Sequence, residues 1–357
     1  MKLILYQTNL QFEYPFTISK GTKTHQPSLI VCFDNEGIQG FGEAPSIKYY
    51  NISVEQMIED ITQVFNLFKQ QKFASAAECW IFFNTYIHQN NFAICALDMA
   101  MHDWFCKKNK QSLFESFNTE WKNIPPTDYT LGFDTIEVLE QKIIQHPMPI
   151  YKIKLGLGNE EEVLKKITEL STAKIRIDFN EGLTADRFLQ LYPLFEKYNI
   201  ELLEQPLHKN DRDGMEHIFK QSKIDLYADE FCVTEYDVEK CVGLFDGINI
   251  KLTKCGGITP ALRMINNAHK LGLKVMMGSM NESSIGTAAV AHFLPQLNKV
   301  DMDGILLLKE TFASGIRFNK DAVCMQPTGF GLGVDVDTAS LLPFKIIELE
   351  KIAINLL

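Results

Sequence analysis

The sequence predicts an α/β fold, a modified TIM (β/α)7β barrel carrying a smaller α+β capping domain. Three observations predict it. Short apolar runs ending in a charged residue recur about every 25 residues from Lys154 onward, the length of one βα unit. Helical patterns separate these runs, and such alternation gives a parallel sheet. The chain has 357 residues, more than one ordinary compact core needs and natural for a barrel with an added domain.

The elements follow in chain order. Phe16 to Ser19 and Leu29 to Phe33 are rich in aromatic and β-branched residues, so they read as strands. Gly37, Gly40 and Gly42 punctuate a turn into Glu43-Ala44-Pro45. Ser53-Val54-Glu55-Gln56 has the form of a capping box and opens a helix toward Phe68. Asn91 to Cys106 carries Phe92, Cys95, Ala96, Met99 and Ala100 at helical spacing.

From Tyr129 the rhythm becomes strand, turn, helix. Helices are expected over 160–171, 184–198, 212–222, 234–242, 259–271 and 282–294, with strand-like runs between them and two more at Lys274–Gly278 and Lys299–Asp303. After Asp303 the rhythm stops. The stretch from about 310, with Gly329-Phe330-Gly331-Leu332-Gly333, is expected to return to the first domain rather than add a ninth unit. The expected division is a capping domain over 1–123, completed by 310–357, and a barrel over 124–309.

Bulk properties exclude several function classes. The composition is that of a globular protein, 46% hydrophobic and 22% charged. A net charge of −10 speaks against nucleic acid and anionic membrane surfaces. No apolar run approaches the roughly 20 residues of a bilayer span. The opening residues turn polar too soon for a signal peptide. Eight scattered cysteines form no CxxC pair, so a zinc cage or disulfide framework is not expected. The expected location is the cytoplasm.

The charged run ends carry the chemistry. Asp178, Glu204 and Asp229 close three successive apolar runs, and in a βα barrel such ends open on one face. Any one of them is explained as well by a helix cap or a solvated loop charge. Three converging carboxylates need protons or a cation, and an all-oxygen set suits Mg²⁺. Lys152 and Lys154 stand two apart in a strand, so they share a side. Two neighbouring ammonium groups lower each other's pKa, which would make a base near neutral pH. Lys251 ends a strand roughly opposite in the ring; strand-end lysines also commonly reach for solvent. Beside a metal that holds a substrate carboxylate, a base on each face performs a two-base 1,1-proton transfer through an enediolate.

At these residues the chain resembles the enolase superfamily. The motifs are Gly40-Phe41-Gly42-Glu43-Ala44, Ala96-Leu97-Asp98-Met99-Ala100, Lys152-Ile153-Lys154, Asp178-Phe179-Asn180, Glu204-Gln205-Pro206, Ala228-Asp229-Glu230 and Lys251-Leu252-Thr253-Lys254. The lysine pattern is similar to the muconate-lactonizing subgroup. The resemblance implies Lys154 and Lys251 as the acid/base pair, Lys152 as the aid of Lys154 and a contact of the substrate carboxylate, and Asp178, Glu204 and Asp229 as ligands of Mg²⁺. The pairing of a lysine base with Mg²⁺ is the general logic of that superfamily.

Specificity must come from elsewhere. Asp301-Met302-Asp303 on the last expected strand places two aspartates on one side. Two more acids beside an acidic site call for a cation, and a substrate ammonium supplies one. The pair is similar to that of dipeptide epimerases, which implies epimerisation of a dipeptide at its second residue. An ordinary acidic turn before Gly304 is the plainer reading of the same residues. Thr130, Ser279 and Met280 are further substrate-binding candidates; Ser279 also reads as a helix cap and Met280 as packing. The stretch Thr17 to Gln26 is expected to cover the pocket. It lacks the arginine expected of an Ala-Glu-specific epimerase; Lys20 or Lys23 could substitute without its bidentate fork, and a small or apolar second residue is expected at least equally. His25 reads as surface. The alternatives in the same subgroup, an o-succinylbenzoate synthase or an N-acylamino acid racemase, need no ammonium site. A non-catalytic scaffold would need none of these residues. Assembly as a homo-oligomer is expected.

Overall fold

A computed structural model describes residues 1–18, 21–156, 158–309 and 312–350. The chain opens with a long antiparallel hairpin, β1 (Lys2–Ile18) and β2 (Gly21–Asn35), followed by β3 (Ile38–Pro45). Both hairpin strands run longer than the residue pattern predicts, because cross-strand pairing extends the ladder through polar positions. Three helices follow, α1 (Val54–Phe68), α2 (Ala76–Tyr86) and α3 (Asn91–Lys108), then a short α4 (Leu113–Ser116). Ser53 caps α1 as predicted, its side chain accepting from the Gln56 N–H.

Helix α3 is buried nearly all round, which fits its lack of a polar face. It lies against β3 because Gly40 and Gly42 present no side chain. A Cβ at Gly42 would overlap the Ala96 carbonyl oxygen and lie 2.8 Å from the Ala100 nitrogen. This close approach carries two of the sequence motifs into contact.

The barrel runs β4 (Tyr129–Leu131), α5 (Ile136–Gln145), β5 (Ile150–Lys154), α6 (Glu160–Leu170), β6 (Lys174–Asp178), α7 (Ala185–Phe195), β7 (Ile200–Glu204), α8 (Arg212–Phe219), β8 (Leu226–Ala228), β9 (Gly247–Ile250), α9 (Leu252–Cys255), α10 (Ile258–Lys270), β10 (Lys274–Gly278), α11 (Ser284–Ala291) and β11 (Lys299–Asp301). Its eight strands pair parallel in sequence order. The seam between the first and the eighth is bridged by side chains. Thr127 Oγ1 accepts from the Met302 N–H at 3.0 Å, and Asp303 Oδ2 accepts from the Thr130 N–H at 2.5 Å. The fold is thus a near-closed barrel with an antiparallel cap. The helix expected over 234–242 is instead two 3₁₀ turns, Glu235–Asp237 and Glu239–Cys241. Thr234 and Asp237 cap each other reciprocally there and close the first turn after three residues.

A small hairpin, β12 (Ala313–Ser314) and β13 (Asp335–Val336), and a short α12 (Thr338–Leu341) lead to β14 (Lys345–Glu350). That last strand pairs with β1, Lys2 opposite Glu350. The first helices also grip the barrel near its sixth strand. Trp80 Nε1 donates to the Gly256 carbonyl at 2.9 Å and Asn91 Nδ2 to the Lys254 carbonyl at 2.7 Å. Asp98 accepts from both the backbone and the hydroxyl of Thr259 at the start of α10.

Gly42→Ala is expected to lower stability by about 1–3 kcal/mol through overpacking of β3 on α3, and thermal melting against wild type measures it.

Candidate active site

The C-terminal ends of the barrel strands surround a cavity of about 150 Å³. Lys152, Lys154, Asp229, Lys251, Asp301 and Asp303 line it from the barrel, with Asn180 and Glu230. Thr130, Ser279 and Met280 line it as expected. Asp178 and Glu204 lie beneath, fully buried.

The acidic triad is brought together. Asp178, Glu204 and Asp229 each offer an oxygen within 4.8 Å of the others. Lysines hold these carboxylates. Lys154 Nζ donates to Asp178 Oδ2 at 2.5 Å and to Asn180 Oδ1 at 2.9 Å. Lys251 Nζ donates to Asp229 Oδ2 at 2.9 Å, while Lys254 holds Asp229 Oδ1. Asn249 Nδ2 donates to Glu204 Oε1 at 2.9 Å. Lys152 Nζ sits 2.7 Å from Asp301 Oδ2, 2.8 Å from Glu204 Oε2 and 3.2 Å from Asp178 Oδ2.

These contacts set the charges. Burial alone would push the Lys152 ammonium down, but Asp301, Glu204 and Asp178 hold it well above its ordinary value. The same contest, won by Asp229, raises Lys251. For Lys152 the expected lowering by a neighbouring ammonium is therefore not what this arrangement gives. Three carboxylates at 2.7–3.2 Å decide its charge. Asp229 is held well below the usual carboxylate range against the effect of burial, by Lys251 and Lys254. Glu204 goes the other way, up to about 7, through burial and the neighbouring Asp178. Glu230 rises to about 8 through burial and Asp229.

The second acidic pair also faces the cavity, but not by strand alternation. β11 ends at Asp301, and Asp303 lies beyond it at the start of a 3₁₀ turn, Gly304–Leu307. The backbone has already left the extended region at Asp303, with φ −85° and ψ −3°. The turn and the Thr130 N–H aim its carboxylate instead. Asp128 joins the pair, one oxygen of each of the three lying within 4.8 Å of the others. Asp301 is drawn down to about 2, against burial, by Lys152 and Lys251, whereas burial and Asp301 push Asp303 up to about 7.

From the antiparallel sheet and its following loop come Phe16, Lys23, Ile47, Tyr49 and Tyr50. Of the expected covering stretch, Thr17, Ile18 and Gly21 to Gln26 lie in the paired ends of β1 and β2, and Ser19 lies outside the described residues. Lys23 reaches the cavity and donates to Gln26 Oε1 at 3.2 Å; burial and the nearby Lys48 lower its pKa. Lys20 lies outside the described residues. His25 is exposed beside Thr24. Ile47, Tyr49 and Tyr50 have no counterpart among the sequence candidates, since the loop that carries them holds no periodic signal. Asn180, Glu230 and Lys254 stood within the quoted motifs without a role.

Comparison with known proteins settles the family. The enolase C-terminal domain-like family matches residues 135–340, and the mandelate racemase/muconate lactonizing enzyme N-terminal domain matches residues 1–116. The chain belongs to the enolase superfamily. Within it, the chain is 42% identical over 334 residues to the L-Ala-D/L-amino acid epimerase of Flavobacterium johnsoniae, covering 94% of this chain and 99% of that one. It is 29% identical to the L-Ala-D/L-Glu epimerase of Bacteroides thetaiotaomicron, over 88% of this chain and 83% of the relative. The dipeptide epimerase of Cytophaga hutchinsonii, solved with Mg and D-Ala-L-Val, superposes with a TM-score of 0.90 at 26% identity, over 98% of this chain and 99% of that one.

The raised Asp303 carboxyl makes a stability prediction. Its ordinary value is 3.8 and its folded value about 7, so folding favours its protonated form. The cost of ionising it is absent below the ordinary value, grows as pH rises, and is complete above the folded value. Asp303→Asn, which keeps an acceptor for the Thr130 N–H, is expected to melt higher than wild type at pH 8 in EDTA. The advantage should vanish toward pH 4, and melting curves across that range measure it.

Proposed function

We propose that the protein is a Mg²⁺-dependent dipeptide epimerase that inverts the α-carbon of the C-terminal residue by two-base proton transfer. The observation that carries this reading is the shared cavity, with Lys154 at the end of the second of eight strands, Lys251 just past the end of the sixth, and Asp301 and Asp303 beside them. Strands four places apart in a ring of eight face each other across its mouth.

The triad suits the cation. All its donors are carboxylate oxygens, within 4.8 Å of one another and buried where a hard divalent ion is well paid in charge. Glu204 Oε2 is fully buried beside Lys152 yet makes no aligned hydrogen bond. Asp178, Glu204 and Asp229 would hold the Mg²⁺, whose chemistry would be a positive centre for the substrate carboxylate and for charge developing on it as the α-proton leaves. A cation at those oxygens would compete with Lys154 and Lys251 for Asp178 and Asp229 and so leave both ammonium groups free to face the substrate. Lys154 then removes or returns the α-proton on one face and Lys251 on the other. Lys152 sits between the triad and Asp301, where it meets the substrate carboxylate. Asp301 and Asp303 take the ammonium of the first residue, and Thr130, Ser279 and Met280 line the bound dipeptide.

The names of the relatives support a substrate beginning with L-Ala and a second residue of broad identity. The chain is 42% identical to an L-Ala-D/L-amino acid epimerase and 29% to an L-Ala-D/L-Glu epimerase. The missing loop arginine agrees with that order. The same reading divides the chain into a capping unit of 1–123 with 310–357 around a barrel of 124–309. Pairing of β14 with β1 supports it. Eight free, buried cysteines support a reducing, cytoplasmic location. Among the described residues no helix is long and apolar enough to cross a membrane. Assembly as a homo-oligomer belongs to the same proposal.

Proton NMR in D₂O with Mg²⁺ and a dipeptide library tests the activity. The expected result is loss of the α-proton signal at the second residue with appearance of the other diastereomer, and none of either in EDTA. Exchange with N-acylamino acids alone, or water loss from an o-succinylbenzoate precursor, would replace the proposal. Lys154→Ala and Lys251→Ala should each abolish epimerisation while retaining α-proton exchange of one diastereomer. Normal epimerisation by both would exclude the two-base route. Asp303→Asn should reduce kcat/KM for dipeptides at least about 10-fold more than for an N-acylated analogue, and equal losses would remove the ammonium site.

A further inference from the structure

The turn after β6 holds two consecutive non-glycine residues in the left-handed region, Asn180 at φ 45° and Glu181 at φ 68°. A Cβ makes that region costly, least so for Asn. The turn places the Asn180 amide in the cavity wall, where both its ends are used. Oδ1 accepts from Lys154 Nζ at 2.9 Å and Nδ2 donates to Glu230 Oε1 at 3.2 Å. An ammonium only donates, so the oxygen end must face Lys154. The Asn180 N–H meanwhile donates to Asp178 Oδ1 at 2.9 Å.

Lys154 thus has two partners of different character. Asp178 is a carboxylate, and a divalent cation draws it by charge. Asn180 is neutral, would compete less for such an ion, and would keep its bond to the lysine where the ion claims Asp178. Lys251 is placed otherwise, by Asp229 Oδ2. We propose that Asn180 is the positioning residue for Lys154, its amide oxygen fixing Nζ at one face of the substrate. The inference rests on Lys154 and Lys251 serving opposite faces, and it makes the effect of Asn180 one-sided.

The test uses Asn180→Gly, because glycine adopts a φ of 45° without strain and only the side chain is lost. Exchange of the α-proton with D₂O is followed separately for L-Ala-L-Xaa and L-Ala-D-Xaa, Xaa being the residue that wild type epimerises fastest. Lys154→Ala and Lys251→Ala identify which diastereomer each lysine serves. Asn180→Gly should slow the diastereomer served by Lys154 about 10-fold or more and leave the other within about threefold. Calorimetric Mg²⁺ affinity should stay near wild type. Equal slowing of both diastereomers, or of neither, would overturn the inference. If Asn180→Gly does not fold, Asn180→Asp serves. It tolerates the same backbone and adds a charge that grips the ammonium, so it should slow the same diastereomer alone, and an even loss would overturn the inference equally. Absence of exchange in wild type would instead defeat the epimerase reading itself.

Discussion

The barrel mouth depends on mutual neutralisation of charges that no protein interior would hold singly. Lys152 is the hinge of that balance. Its one ammonium lies within 3.2 Å of Asp178, Glu204 and Asp301, with only 4% of the side chain exposed. Each carboxylate would be expensive without a partner, and so would the lysine. Together they hold the triad and the aspartate pair in one cavity. The same balance leaves Glu204 and Asp303 raised toward neutral pH and Asp229 and Asp301 depressed. Carboxylates pushed apart in this way are poised to change partners when a cation or a substrate enters.

The scaffold keeps those charges at fixed distances. Strand ends in a barrel are rigid, and the turns after them are short and tightly bonded. Lys254 holds the backbone carbonyls of Asp229, Cys232 and Asn249 as well as the Asp229 carboxylate. Beneath the site, Arg176 ties Asp128 and Glu201 at 2.8 and 2.7 Å. From the other side, Glu43 on β3 accepts from both the N–H and the hydroxyl of Ser283 at the start of α11. That contact anchors the segment carrying Ser279 and Met280. The antiparallel sheet therefore meets the pocket through Glu43 as well as through Phe16 and Lys23.

Much of this was legible in the sequence for a simple reason. Parallel strands in a βα barrel advance by one period at a time, so the end of every apolar run lands on one face. Lys154, Asp178, Glu204, Asp229 and Lys251 follow from that period. Asp303 reaches the cavity from a turn past the strand and not by the strand alternation that the sequence suggests. The 234–242 segment shows the same weakness, where a local capping pair ended a helical pattern early. The loop with Tyr49 and Tyr50 carries no periodicity, and its position over the cavity could not be read along the chain.

The sequence by itself determined which chemical groups meet, because strand period and residue type are local properties. Carboxylates at three strand ends and lysines at two others must converge wherever the barrel closes. Tertiary structure decided how they share protons and partners. The pairing of Lys152 with three acids, the left-handed turn that brings Asn180 to Lys154, and the reach of Lys23 and the tyrosines over the cavity all join residues far apart in the chain. Their energies depend on distances and burial, and only the folded chain sets those.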